Sequence, residues 1–202
     1  MRVPLQIFCC ILLSACGSYH TSPDLALLRA ADAGQTSALI RACRAGAHLN
    51  VRSDDGQTAL GLALERINRG EGVCGAADDT ISPVWENVEL LLKAGANPNI
   101  PHRHTTPLHL AAGSGNPELV RLLLHYGASP DAETRSCLAP LWEAVYTNNP
   151  AVAEVLLQAG ANPHIPNTEG QTPLEFLRMQ GRTHSRLYHL LRTHETCPNH
   201  RG

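Results

Sequence analysis

The sequence predicts an all-α solenoid of about five stacked helix-turn-helix units, and three observations carry that prediction. A helix start recurs at a fixed step, as Thr106-Pro107-Leu108, Ala139-Pro140-Leu141 and Thr172-Pro173-Leu174, 33 residues apart. A helix end recurs in register with it, as Leu91-Leu92-Lys93-Ala94-Gly95-Ala96, Leu123-Leu124-His125-Tyr126-Gly127-Ala128 and Leu156-Leu157-Gln158-Ala159-Gly160-Ala161. The chain is 43% hydrophobic but only 4% aromatic, which suits a core of small aliphatic side chains. Two short helices cannot bury an apolar face alone, so equal units in series must stack on one another.

The unit from Thr106 to Ala128 is the most regular. Thr106 reads as an N-cap whose hydroxyl accepts from a free backbone N–H, and Pro107 takes the first helical position, where a missing N–H costs nothing. Gly115 closes this helix, Asn116-Pro117 open the next, and Gly127 suits the left-handed position after a helix end. A Thr-Pro-Leu-His start with a step of about 33 residues resembles the ankyrin repeat. The resemblance covers residues 24–195 and implies an ankyrin-repeat solenoid with short β-hairpin fingers between repeats near 24–52, 53–101, 102–134, 135–166 and 167–195.

In chain order, Met1 to Ser18 reads as a targeting segment outside the fold. Arg2 gives it a positive start, and the apolar run Leu5 to Leu13 is too short to span a bilayer, which takes about 20 residues. Leu13-Ser14-Ala15-Cys16-Gly17 resembles a bacterial lipobox, which implies a signal peptide over 1–15 and an acylated Cys16 at the head of a tether over 16–23. Gly17, not being Asp, then favours the outer membrane, with the protein facing the periplasm. A plain secretory signal cleaved near Ala15, giving a soluble periplasmic protein, is the alternative.

Leu25 to Ala33 and Ala38 to Ala45 form the first helix pair, a diverged terminal unit without Thr-Pro. The second unit opens at Thr58, and Thr58 to Thr106 is 48 residues, 15 more than the repeat. The excess falls over 66–81, where Gly70, Gly72 and Gly75 oppose a regular helix, before Trp85 to Lys93 completes the pair. The finger before Thr106 is one residue short, 11 residues from Gly95 against 12 from Gly160 to Thr172. In the fourth unit Ala139 replaces the capping Thr and Trp142 takes the signature-His place, so the Thr–His bond that the resemblance implies is absent there. The fifth ends in a polar helix over 185–193, as a terminal cap should, and 196–202 is a tail.

Chemistry is sparse. Net charge is −2, so no basic field points to nucleic acid. His102-x-His104 and His194, Cys197 and His200 lack the spacing of a tetrahedral zinc site, and His109 reads as structural. No nucleophile elbow, phosphate loop or acid–base pair stands out, so neither catalysis nor a cofactor is expected. Export permits disulfides among Cys43, Cys74, Cys137 and Cys197, and Cys43–Cys74 with Cys137–Cys197 is the pairing that ties insertion and tail to the body.

The resemblance implies that fingers and first helices line a concave groove that binds another protein. On the fingers this selects Asp54, Asp55, Gln57, His102, Arg103, His104, Glu133, Thr134, Arg135, Asn167, Thr168 and Glu169. On the first helices it selects Leu62, Glu65, Arg66, Leu110, Ser114, Glu143, Tyr146, Thr147, Phe176, Met179 and Gln180. Leu110, Tyr146, Phe176 and Met179 would form an apolar strip, although Leu110 and Phe176 equally suit packing between repeats. Resemblance to bacterial ankyrin lipoproteins implies an immunity or inhibitory role against a toxic secreted enzyme. An envelope assembly or stress-protection scaffold is the alternative, and a metal-binding protein a more distant one.

Overall fold

The computed structural model describes residues 22–70, 83–134 and 138–195. Among them stand ten helices in five sequential pairs: α1 (Ser22–Ala33) and α2 (Thr36–Arg44), α3 (Ala59–Asn68) and α4 (Pro83–Lys93), α5 (Pro107–Gly113) and α6 (Pro117–His125), α7 (Pro140–Tyr146) and α8 (Pro150–Gln158), α9 (Pro173–Met179) and α10 (Arg186–Glu195). First helices pack in an unbroken row, α1 on α3, α3 on α5, α5 on α7 and α7 on α9. Among the second helices, α2 packs on α4, α6 on α8 and α8 on α10. The strong contacts run between neighbours, so the units form a line, the architecture of an all-α repeat solenoid.

The core is aliphatic, as the composition requires. Leu27, Leu39, Leu64, Leu91, Leu108, Leu123, Leu141, Leu156, Leu177 and Leu187 are fully enclosed, and Trp142 is the one aromatic side chain of that depth. Among the buried polar side chains Asn87 stands out: it is 0% exposed, and neither its amide oxygen nor its nitrogen has a partner among the described residues. By register it stands where Leu119 and Val152 stand in later repeats, and an orphaned buried amide costs roughly 1–3 kcal/mol.

Several local expectations are corrected. No strand occurs among the described residues; the fingers are turns, with one isolated antiparallel bridge between His102 and Thr105. The reason is room, because the residue after each turn is already the N-cap of the next helix. Backbone bonds from Ser53 to Gln57, Thr134 to Leu138 and Asn167 to Gln171 close five-residue turns, whereas His102 and Thr105 close a four-residue one. The missing finger residue is therefore lost at the tip, where Arg103 takes φ 56. Where α5, α7 and α9 end, at the place of Glu65, α3 runs on to Asn68 and closes at Gly70, φ 74, so the excess begins as helix rather than as loop; residues 71–82 lie outside the described ones. Helices α1 and α2 each begin earlier than read, at Ser22 and Thr36, and α10 ends at Glu195.

A ladder that the sequence reading missed ties consecutive repeats. The N–H two residues past a helix-ending glycine donates to an Asx oxygen four residues past the same glycine of the preceding repeat. Asn97 donates to Asn50, Ser129 to Asn99 and Asn162 to Asp131, each at 2.8 Å. At the head of the solenoid Asp24 does the same for His48, at 2.7 Å. The signal was legible as Gly46-x-x-x-Asn50, Gly95-x-x-x-Asn99 and Gly127-x-x-x-Asp131. His164 stands at the equivalent place after Gly160 and breaks the series before the α9–α10 unit.

Candidate functional site

The N-caps Thr58, Thr106, Ala139 and Thr172 set a common frame. Three residues on stand Gly61, His109, Trp142 and Glu175; four on, Leu62, Leu110, Glu143 and Phe176; seven on, Glu65, Gly113, Tyr146 and Met179. Positions four and seven are one helical turn apart and share a face. That face becomes more open along the solenoid, from Leu62 at 4% exposed to Tyr146 at 47% and Met179 at 73%.

The third positions lock each repeat to the next. His109 Nδ1 lies 2.7 Å from the Thr106 hydroxyl, and its Nε2 donates to the Leu138 carbonyl at 2.8 Å. Thr106 therefore spends its hydroxyl on His109 and makes no side-chain cap bond, contrary to the simple N-cap reading. Trp142 replaces the local bond with a longer reach, its indole N–H donating to the Ile165 carbonyl at 3.0 Å. Glu175 instead completes a capping box with Thr172.

At Gly61 the histidine arrives from the other side. His102 is 0% exposed, and its Nδ1 accepts from the Thr58 backbone N–H at 3.0 Å. That bond fixes the neutral tautomer with the proton on Nε2, which donates to Glu65 Oε1 at 3.0 Å. Arg103 Nη1 reaches the same oxygen at 3.2 Å. Burial pushes the imidazole below its usual pKa, with Glu65 only partly opposing it. A Cβ at Gly61 would stand 2.0 Å from His102 Nδ1, so the glycine makes the space for the ring. His102 is thus a structural linchpin, not a partner-binding or metal-ligating residue: both ring nitrogens are engaged.

The corresponding region of the fourth and fifth repeats is open. Trp142, 1% exposed, forms the floor. Tyr146 lies over it at 5.4 Å, and Phe176 meets Trp142 at 5.7 Å and Tyr146 at 5.5 Å, edge to face in both cases. Phe176 and Leu110 are half-buried against the core, at the same position of their helices as Glu143. Met179 projects beyond them, its sulfur 3.4 Å from the Gln171 amide nitrogen. Glu143 is half-buried and makes no side-chain hydrogen bond or ion pair among the described residues; burial raises its carboxyl pKa.

The finger residues form a separate polar group. Asp54, Asp55, His104 and Glu133 are exposed, and Gln57 is half-buried in its own turn. Arg103, His104 and Glu133 border a hollow of about 250 Å³ with Arg52 and Thr134. Arg135 lies outside the described residues, as do Cys16, Cys74, Cys137 and Cys197. Cys43 is half-buried and has no disulfide partner among the described residues, and burial raises its thiol pKa.

Residues 76–167 match the family model for ankyrin repeats in three copies. A stretch of 86 residues is 33% identical to a probable serine/threonine-protein kinase of Dictyostelium discoideum, covering 42% of this chain and 9% of the kinase. Another of 48 residues is 48% identical to a putative ankyrin repeat protein of Fowlpox virus (strain NVSL), covering 24% of this chain and 9% of that protein. The chain thus spans less than a tenth of the length of either relative. Residues 76–167 are thus similar to ankyrin repeats, repeats that generally bind other proteins, and the described residues around them continue the same row of helix pairs.

Proposed function

We propose that the chain is a non-enzymatic ankyrin-repeat lipoprotein, held by Cys16 at the periplasmic face of a bacterial outer membrane, whose groove captures another protein. One observation carries the binding reading: Tyr146, Phe176 and Met179 present apolar surface beside Glu143, which has no partner among the described residues, where the fold itself needs neither the exposure nor the charge. Aromatic anchors beside polar groups are how interfaces gain affinity. Support for the anchor is the Leu13-Ser14-Ala15-Cys16 motif after a short apolar run. A preformed groove with a tether and no catalytic set fits an immunity or inhibitory protein that masks a toxic secreted enzyme.

The test uses the full chain with a C-terminal tag, recovered in mild detergent and offered exported proteins of the same cell. Tyr146→Ala should lose partner capture with little change in unfolding, whereas Leu123→Ala, 0% exposed, should cost about 2–5 kcal/mol. Equal loss of stability in both variants would remove the groove assignment. Cys16→Ser should move the protein from the membrane fraction to the soluble one; unchanged fractionation would remove the anchor.

A further inference from the structure

Glu143 is out of keeping with its surroundings. It sits in the row occupied by Leu110 in the preceding repeat and Phe176 in the following one, and no group among the described residues neutralises it. Burial raises the pKa of its carboxyl, the mark of an anion that has lost water without gaining a partner. A Cβ placed on Gly113 would meet only Glu143 Oε2, at 3.7 Å, so the space over Gly113 beside the carboxylate is open. One turn beyond Glu143 stand the perpendicular rings of Tyr146 and Phe176, at 89°. A carboxylate next to open space and a corner of two aromatic rings offers what a cation lacks on leaving water: an opposite charge and π faces.

Resting on the reading of this groove as a protein-binding surface, we propose that the space over Gly113 receives an arginine or lysine side chain of the partner, its cationic head against Glu143 and its stem along Tyr146. The partner segment that enters the groove is therefore basic at one point and apolar next to it, where Phe176 and Met179 continue the surface. Glu65 shows the contrast within one molecule: its carboxylate is already taken by His102 and Arg103, so that end of the face has no charge to offer.

The test titrates the full chain with N-acetylarginine amide and with its neutral isostere N-acetylcitrulline amide, following the Gly113 amide and the Tyr146 ring by NMR. The arginine probe should shift both signals saturably, and the citrulline probe should not. Glu143→Gln should weaken the arginine probe by about tenfold or more, the loss of a charge-assisted contact. Gly113→Leu should block it from the opposite side in a protein that still folds, since φ there is not left-handed and the space is empty. Equal shifts with citrulline, or no change in Glu143→Gln, would overturn the cation slot. Partner capture separates the two readings. If Glu143→Gln captures the partner as well as wild type while Tyr146→Ala does not, the groove stands and the slot falls; if both capture it normally, the groove falls.

Discussion

Glu65 on α3 and Glu143 on α7 are both half-buried carboxylates on the same face of the solenoid, and they are treated in opposite ways. Around Glu65 the chain supplies its own cations and donors: His102 folds back from the next finger, Arg103 follows it, and Gly61 clears the space. Around Glu143 the chain supplies aromatic rings and a glycine, and no counter-charge among the described residues. One end of the face is closed by internal bonds and serves the fold. The other keeps an uncompensated anion beside exposed rings, and such a cost is tolerated where something outside the chain offsets it.

The two glycines give the sharpest way to break this comparison. Gly61→Ala should lose roughly 3–5 kcal/mol in urea unfolding, because the methyl displaces His102 and orphans its buried bonds, whereas Gly113→Ala should be neutral or gain up to about 1 kcal/mol. Similar losses at both sites would show that the two regions do not differ. Next come the carboxylates themselves. Glu65→Gln should cost about 1–3 kcal/mol, while Glu143→Gln should raise stability slightly at neutral pH, and a loss in the second would mean that Glu143 has an internal partner after all.

Trp142→Phe keeps the aromatic floor but removes the indole bond to Ile165, so denaturation midpoints should fall by an equivalent of about 1 kcal/mol. The smallest effects lie in the pH profile, and there the two regions have opposite signs. Burial lowers the imidazole pKa of His102 and His109 from 6.5, so the unfolded chain binds those protons first. Their contribution is complete above 6.5 and is lost as pH falls below it toward the lower folded values. Glu143 has its pKa raised from 4.5, so its protonated form stabilises the fold below that value and the benefit is lost as pH rises through the folded pKa. Thermal scans from pH 4 to pH 8 should show the acid loss shrink in His102→Gln, and the advantage of Glu143→Gln shrink toward its acid end.

Much of this was legible because repeats announce themselves locally. Pro107, Pro140 and Pro173 each begin a helix, and Gly115 and Gly127 each take the left-handed backbone after one. Even the substitution of Asn148 for the glycine expected one step after Gly115 follows the local rule, since Asn tolerates that conformation, here at φ 52. The exposed apolar side chains were legible too, because Tyr146 and Met179 fall where helical spacing places exposed residues. His102 was misplaced for a physical reason. Its neighbours Arg103 and His104 face solvent, and nothing in the local spacing shows that Gly61, 41 positions earlier, has left a hole of the right size.

What the sequence by itself determined is the unit: its length, its two helices, its caps and its stacking in a line, all set by interactions a few residues apart that recur at a fixed step. Only the tertiary structure decided how each unit is joined to the next, with His109 and Trp142 reaching forward, His102 reaching back and Glu175 turning on its own cap. It also decided that Glu65 is satisfied and that Glu143 has no partner among the described residues. Satisfaction of a buried charge depends on which side chains arrive from other repeats, and that is a property of the packed solenoid rather than of any one stretch of chain.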